Sequence, residues 1–232
     1  MKELRRGFMT VLIAAAAMFA FAQGSASAAD TIKANLSCCT FAPGPYGQDL
    51  GEIPTFDNPV GADAPHNVTS TVRGPDGAPL FRSQTIGAGS ISPVAGTQYL
   101  AGGTYPFFCT LHGLSMSGEL SVSGSNGTIV PRPGIRVSIP SQSLRAIRKS
   151  GTVKVSVKAL SGSPRVNLSV KSGAKTVASV SGIAINSGAT RTIRVKLSRA
   201  GSKALSKGRK AVISVKGSIA FGSPASAKRT VR

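Results

Sequence analysis

The sequence predicts an all-β protein made of two consecutive β-sandwiches. Three observations carry that expectation. The 232 residues include no tryptophan and few aromatics, with 27 glycines and 14 prolines, and Ser, Val and Thr are abundant, a composition of strands and turns. Apolar and polar residues alternate over several short runs, and no helical or heptad period persists. Charge divides the chain into parts of opposite sign, which argues for two units with different tasks.

The chain opens with Lys2, Arg5 and Arg6, continues through "FMTVLIAAAAMFAFA", and reaches the small residues "GSASAAD". This charged, apolar and cleavable order is that of an export signal over residues 1–28, with cleavage after Ala26-Ser27-Ala28. The apolar run is short and alanine-rich, which fits a signal better than a membrane anchor. "LRRGFMT" resembles a twin-arginine signal, and ordinary export signals also carry paired arginines, so both export routes stay open. The expected location is the cell envelope, periplasm or exterior.

About 200 remaining residues suit two units of roughly 100. From Ala29 to Asn126 there are three basic residues (Lys33, Arg73, Arg82) and seven acidic ones (Asp30, Asp49, Glu52, Asp57, Asp63, Asp76, Glu119). From Gly127 onward there are 22 Lys and Arg and no Asp or Glu. "SGSNGT" followed by "VPRPG" reads as a flexible stretch and then a proline-stiffened one, placing a hinge near residues 123–134. The expected organisation is a first sandwich over 29–126, a linker over 127–134 and a second sandwich over 135–232.

In the first unit, turn signals such as "APGPYG", "RGPDGAP" and "GAGS" separate short apolar runs at the spacing of an all-β sandwich. The second alternates more clearly. In "TVKVSVKA", Val153, Val155 and Val157 face inward and Lys154, Ser156 and Lys158 outward. "RVNLSVK" repeats this with Val166, Leu168 and Val170, and "TIRVKLS" with Ile193, Val195 and Leu197. One short helix is expected in "LSRAGSKALSKG", started by Ser198 and stopped by Gly208. The second unit reads as an immunoglobulin-like sandwich. It resembles, in composition and pattern, basic tail domains of exported bacterial proteins.

Excluding the signal, the chain holds two histidines, His66 and His112, and one methionine, Met116. With Cys109 they make up the ligand list of a blue-copper centre: a thiolate and two imidazoles in a plane and a weak axial thioether. "YPFFC" ends a strand at Cys109, and the turn "TLHGLSM" folds back to bring His112 and Met116 toward it. His66, in "APHNVTS", comes from a remote segment, and ligands from separate parts of a rigid scaffold hold a fixed geometry better than one loop does. Singly, each residue also has a structural use, as a buried thiol, a core methionine or a surface histidine.

At these residues the chain resembles the cupredoxins, in particular the plastocyanin, pseudoazurin, amicyanin and halocyanin-like group. His66-Asn67-Val68 matches the family's first histidine segment. Tyr105, Phe107, Phe108, Cys109, His112, Met116 and Gly118 match its second cluster, and the resemblance covers roughly residues 30–122. It implies a Greek-key sandwich holding one type 1 copper ion through His66, Cys109, His112 and Met116. It also implies that Asn67 bridges the two ligand segments and that Gly113 and Leu114 form an apolar rim around His112, the electron port. Three departures are visible. Met116 lies seven residues after Cys109, between the amicyanin and plastocyanin spacings. Phe108 stands where plastocyanins carry tyrosine, so a tyrosine-assisted electron route is not implied. "QDLGEIPTFDNPVGADAPHNV" replaces the usual "GDTV" run, which implies an altered strand or loop there.

Cys38-Cys39 leaves alternatives open. Adjacent strand residues face opposite ways, so one thiol would be core and one surface; in an oxidising compartment the two form a vicinal disulfide. With Cys109 assigned to copper, an even pair remains. Metal handling is the third use. "NLS", "NVT" and "NGT" are chance sequons, and "RGPDGAP" reads as a turn.

A type 1 centre accepts both Cu(I) and Cu(II), so the expected function is single-electron transfer between redox proteins. Multicopper oxidases and copper nitrite reductases need further histidines, which this chain lacks, so no enzyme activity is expected. The alternative is copper delivery or buffering. The basic unit is expected to meet anionic wall polymer, lipid headgroups or an acidic redox partner, unless it is simply a solvated basic face. The export signal and the lack of an aromatic stacking surface argue against nucleic acid.

Overall fold

The computed structural model describes residues 29–232; the signal expected over residues 1–28 lies outside the described residues. The described chain is all-β apart from two short helices and one 3-10 turn. No helix among the described residues is long and apolar enough to cross a membrane.

The first half contributes β1 (Ile32–Lys33), β2 (Tyr46–Leu50), β3 (Thr55–Asn58), β4 (Thr69–Ser70), β5 (Ser90–Pro93), β6 (Gly103–Cys109) and β7 (Gly113–Gly127), with the 3-10 turn at Thr97–Tyr99. They form a three-stranded sheet, β1-β3-β5, and a four-stranded sheet, β2-β7-β6-β4. One core includes Ile32, Phe41, Tyr46, Phe56, Phe81, Phe107 and Leu120. Phe41 meets Phe107 edge-on at 5.0 Å between ring centroids and Phe56 at 6.2 Å.

Strand parity sets the direction of the cysteine. On β6, Phe107 and Cys109 are buried while Pro106 is exposed, because alternate residues share a face. Phe107 pairs with Gly118 across the ladder. A Cβ at Gly118 would sit 2.7 Å from the Phe107 ring, so glycine there is what admits the ring.

The second half contributes β8 (Gly134–Ser138), α1 (Leu144–Ser150), β9 (Thr152–Ser161), β10 (Arg165–Ser172), β11 (Lys175–Ala184), β12 (Thr190–Lys196), α2 (Arg199–Leu205), β13 (Ala211–Ser218) and β14 (Ala225–Val231). Its two antiparallel sheets, β11-β10-β13-β14 and β12-β9-β8, share a separate apolar core. The alternation read from sequence is the one observed. Val153, Val155, Val157, Val166, Leu168, Val170, Ile193, Val195 and Leu197 are all buried in that core.

Two local readings shift. The expected helix begins as read, with the Ser198 hydroxyl accepting from the Gly201 N–H at 2.9 Å. It ends at Leu205, before Gly208. A second helix, α1, is capped by Ser143, which accepts from the Ala146 N–H at 3.1 Å, and ends at Gly151 with φ +62°. The hinge also shortens. Residues 123–127, expected to be flexible, continue β7, with Ser123 opposite Asp49 and Gly127 opposite Leu50. Ladder pairing with β2 there outweighs the weak strand propensity of Gly and Ser. Residues 128–133 make the irregular connection.

"RGPDGAP" is a turn, and it also makes a contact that the sequence does not announce. Asp76 Oδ2 accepts from the N–H of Phe221 at 2.9 Å, a residue at φ +60°. The Phe221 ring lies 5.1 Å from the Arg82 guanidinium and 6.0 Å from the Tyr99 ring. Gly96 leaves the space the ring needs: a Cβ there would fall 2.7 Å from it. Arg132 donates to the Phe221 carbonyl at 3.3 Å.

Candidate metal centre

The structure brings His66, Cys109 and His112 together. One ligand atom from each lies within 4.8 Å of the others. His66 Nδ1 is 3.2 Å from His112 Nδ1 and 4.0 Å from Cys109 Sγ. Cys109 and Met116 are completely buried and His66 nearly so, while His112 is half-buried.

Each position has a local cause. Cys109 ends β6, and a tight turn follows in which the His112 N–H donates to the Cys109 carbonyl at 3.2 Å. Gly113, at φ +65°, takes the left-handed conformation that the turn requires. The Ser115 hydroxyl donates to the His112 carbonyl at 2.7 Å and closes the loop. The ladder pairs Phe107 with Gly118 and Phe108 with Ser117, then jumps to pair Cys109 with Gly113. Met116, next to Ser117, therefore lies where the uninterrupted ladder would have met Cys109, and opposed residues of a pair point to the same face. His66 is held from the other side by mutual backbone bonds with Ile86, both 3.0 Å.

Asn67 joins the two segments. Its Oδ1 accepts from the Thr110 N–H at 3.0 Å, and its Nδ2 donates to Thr110 Oγ1 at 2.8 Å and Thr85 Oγ1 at 2.9 Å. Asn67 Oδ1 also accepts from the buried Thr69 hydroxyl at 3.2 Å, and stranding that group costs about 1–3 kcal/mol. Asn67→Ala is therefore expected to lower the urea midpoint of the metal-free protein. It should also shift the copper absorption maximum, because the residue after Cys109 loses its anchor.

Burial, and then the neighbouring His112, push the His66 pKa below its ordinary value of 6.5. Its imidazole is thus held neutral, with a lone pair to offer. The unfolded chain takes up the proton first as pH falls, so folding stability is complete above the ordinary value and declines below it until the folded value is passed. Urea unfolding of the metal-free protein between about pH 7.5 and 5 is expected to show this decline, and His66→Asn to reduce it.

The rim differs in part from expectation. Leu114 is 71% exposed and Leu111 53% exposed, so apolar side chains do flank His112. The outer edge of His112, however, meets a sulfur: Cys38 Sγ lies 3.6 Å from Nε2. Cys38 and Cys39 form a vicinal disulfide. Nothing in the sequence placed Cys38 or Thr85 beside the centre, because chain folding alone brings these distant segments together.

No protein-family profile and no curated protein sequence matches the chain. Among solved structures, it is similar to auracyanin B (20% identity, TM-score 0.34), covering 42% of this chain and 91% of that one. It is also similar to the tetra-tandem repeat in the extending region of a large adhesion protein (15% identity, TM-score 0.31), over 72% of this chain and 42% of that one. A third is a 1.5-MDa bacterial ice-binding adhesin (15% identity, TM-score 0.22), over 72% of this chain and 52% of that one.

Proposed function

We propose that the chain is an exported type 1 copper protein that passes single electrons between redox partners at the cell envelope. The observation that carries this reading is the convergence of Cys109 Sγ, His66 Nδ1 and a ring nitrogen of His112, with Met116 completely buried on the strand opposite Cys109. The donor set fits copper. The two histidine Nδ1 atoms, 3.2 Å apart, would both reach one shared ion. One thiolate, two imidazoles and a thioether are the soft and borderline donors that serve both copper oxidation states.

When bound, copper supplies a one-electron couple. The protein's part is to hold Cys109 and His66 in the core, exclude water with Met116 and Phe107, and bring the His112 ring to the surface between Leu111 and Leu114. Asn67 fixes Thr110, and through it the direction of the Cys109 side chain. With both histidines committed to one ion, none is left to bind a second, catalytic copper, so oxygen or nitrite chemistry is not expected of the chain alone.

The basic half is proposed to hold the copper half against anionic envelope polymer. On the exposed face of β12-β9-β8, Lys154 stands opposite Arg194 and Lys158 opposite Arg136. Directly opposed like charges disfavour the sheet, and a polyanion lying over that face relieves them. Co-sedimentation with isolated envelope should weaken as salt is added.

The deciding experiment is the spectrum of the Cu(II)-loaded protein. An intense visible thiolate-to-copper band that bleaches with reductant and returns with oxidant is expected. A colourless copper complex overturns the electron-transfer reading. The specific observation favouring the delivery alternative is the sulfur pair beside His112.

A further inference from the structure

The electron-transfer reading leaves Cys38-Cys39 unused, yet the fold mounts the pair with care. It sits at the tip of a loop closed by the Ala34–Phe41 bridge. Asn35 ties the loop base, donating from its N–H to the Thr40 carbonyl at 3.0 Å and from Nδ2 to Thr40 Oγ1 at 2.7 Å. The Cys38 N–H donates to Asp63 Oδ2 at 3.4 Å. Mounted this way, the sulfurs of Cys38 and Cys39 and a ring nitrogen of His112 all lie within 4.8 Å of one another. Cys38 is exposed and Cys39 half-buried, so the cluster opens to solvent. His112 thus has two working edges: Nδ1 faces His66, and Nε2 faces Cys38.

We propose that Cys38, Cys39 and His112 form a surface docking site for Cu(I), opened by reduction of the disulfide and closed by its re-formation. The reductant is an external dithiol. Its two sulfurs become a disulfide, and the Cys38–Cys39 bond takes up two electrons and two protons to give two thiols. Cu(I) then displaces the thiol protons to solvent and keeps its oxidation state. Two thiolates and an imidazole suit a soft monovalent ion. The disulfide form offers no thiolate, which is the sulfur species that binds metal. A neutral imidazole has one free lone pair at a time, so His112 serves either this site or the inner set. The ion would move inward as the lone pair passes from Nε2 to Nδ1 and the ring proton moves the other way, with Cys109 giving its thiol proton to solvent and the outer thiolates taking protons back from it. That inward step rests on the type 1 reading; the docking site does not.

The test uses the protein as exported, carrying Cys109→Ser so that the inner thiolate is gone and the outer trio intact. It is titrated anaerobically with Cu(I) against a coloured Cu(I) chelator, in the dithiol and the disulfide form. The reduced form is expected to withdraw one Cu(I) at chelator concentrations that leave the disulfide form, with only His66, His112 and Met116 to offer, unloaded. Adding Cys38→Ser should weaken binding by more than about tenfold, since even partners of ligands act on that scale. Equal binding by the two forms, or unchanged binding with Cys38→Ser, overturns the site. In the chain with Cys109 intact, the rate of copper uptake from the same chelator gives a second reading. Reduced protein should load faster than the Cys38→Ser/Cys39→Ser variant, and equal rates overturn the inward passage. Failure of the type 1 reading shows separately, as a missing visible band in the Cu(II)-loaded protein.

Discussion

Cu(II)-loaded Cys109→Ser is expected to be colourless, with the fold retained. The visible band of a type 1 centre is a transfer of charge from thiolate sulfur to Cu(II), and Cys109 is the only free cysteine in the structure's described residues. Serine differs by one atom and fills nearly the same volume, so the core of Phe107, Leu120 and Met116 keeps its packing. The hydroxyl does not ionise near neutral pH and is a hard donor, poorly matched to Cu(I). Copper affinity should therefore fall most for the reduced ion, and the measured potential of any remaining complex should fall with it. Absorption and paramagnetic spectra of the variant beside the parent check this. A variant that keeps the band would remove Cys109 from the centre.

Phe107→Ala is expected to cost about 3–5 kcal/mol of folding stability, the range for deleting a large buried ring. Phe107 is completely buried, with its ring centroid 5.0 Å from that of Phe41 and 6.1 Å from that of Tyr46, and it faces Gly118 across the ladder. Domains of this size hold about 5–15 kcal/mol in total, so the variant should unfold at much lower urea concentration. It should also bind copper less tightly, because Cys109 lies two residues along the same strand face and takes its direction from Phe107. A stability loss confined to surface-mutation size would show that the ring is not part of the core.

The ligand segments were legible in the sequence because each one is local. "YPFFC" alternates as a strand should, so Cys109 shares a face with Phe107, and the turn residues that follow must return His112 and Met116 toward it. "PHNV" stood out because only one other histidine exists. The strands of the basic half were legible for the same reason: Val153, Val155 and Val157 declare a buried face by period alone. The helix α1 was less visible, since its serine cap and glycine stop span only two turns, too short a run for the helical period to register.

Other features had no local signature. The extension of β7 through Gly127 depends on β2, a strand more than 70 residues earlier in the chain. Phe221 takes an uncommon left-handed conformation and donates its N–H to Asp76, 145 residues away. Cys38 reaches His112 across 74 residues of sequence.

By itself, the sequence determined the all-β class, the inward faces of its strands, the opposite charge of its two halves and the four residues proposed to hold copper. These follow from periodicity, composition and residue chemistry, which act over a few neighbouring positions. Only the tertiary structure decided the distance between the two histidine nitrogens, the bridge made by Asn67 and the sulfur pair against the outer edge of His112. Each depends on where distant segments come to rest, and that is fixed by the packing of the whole core.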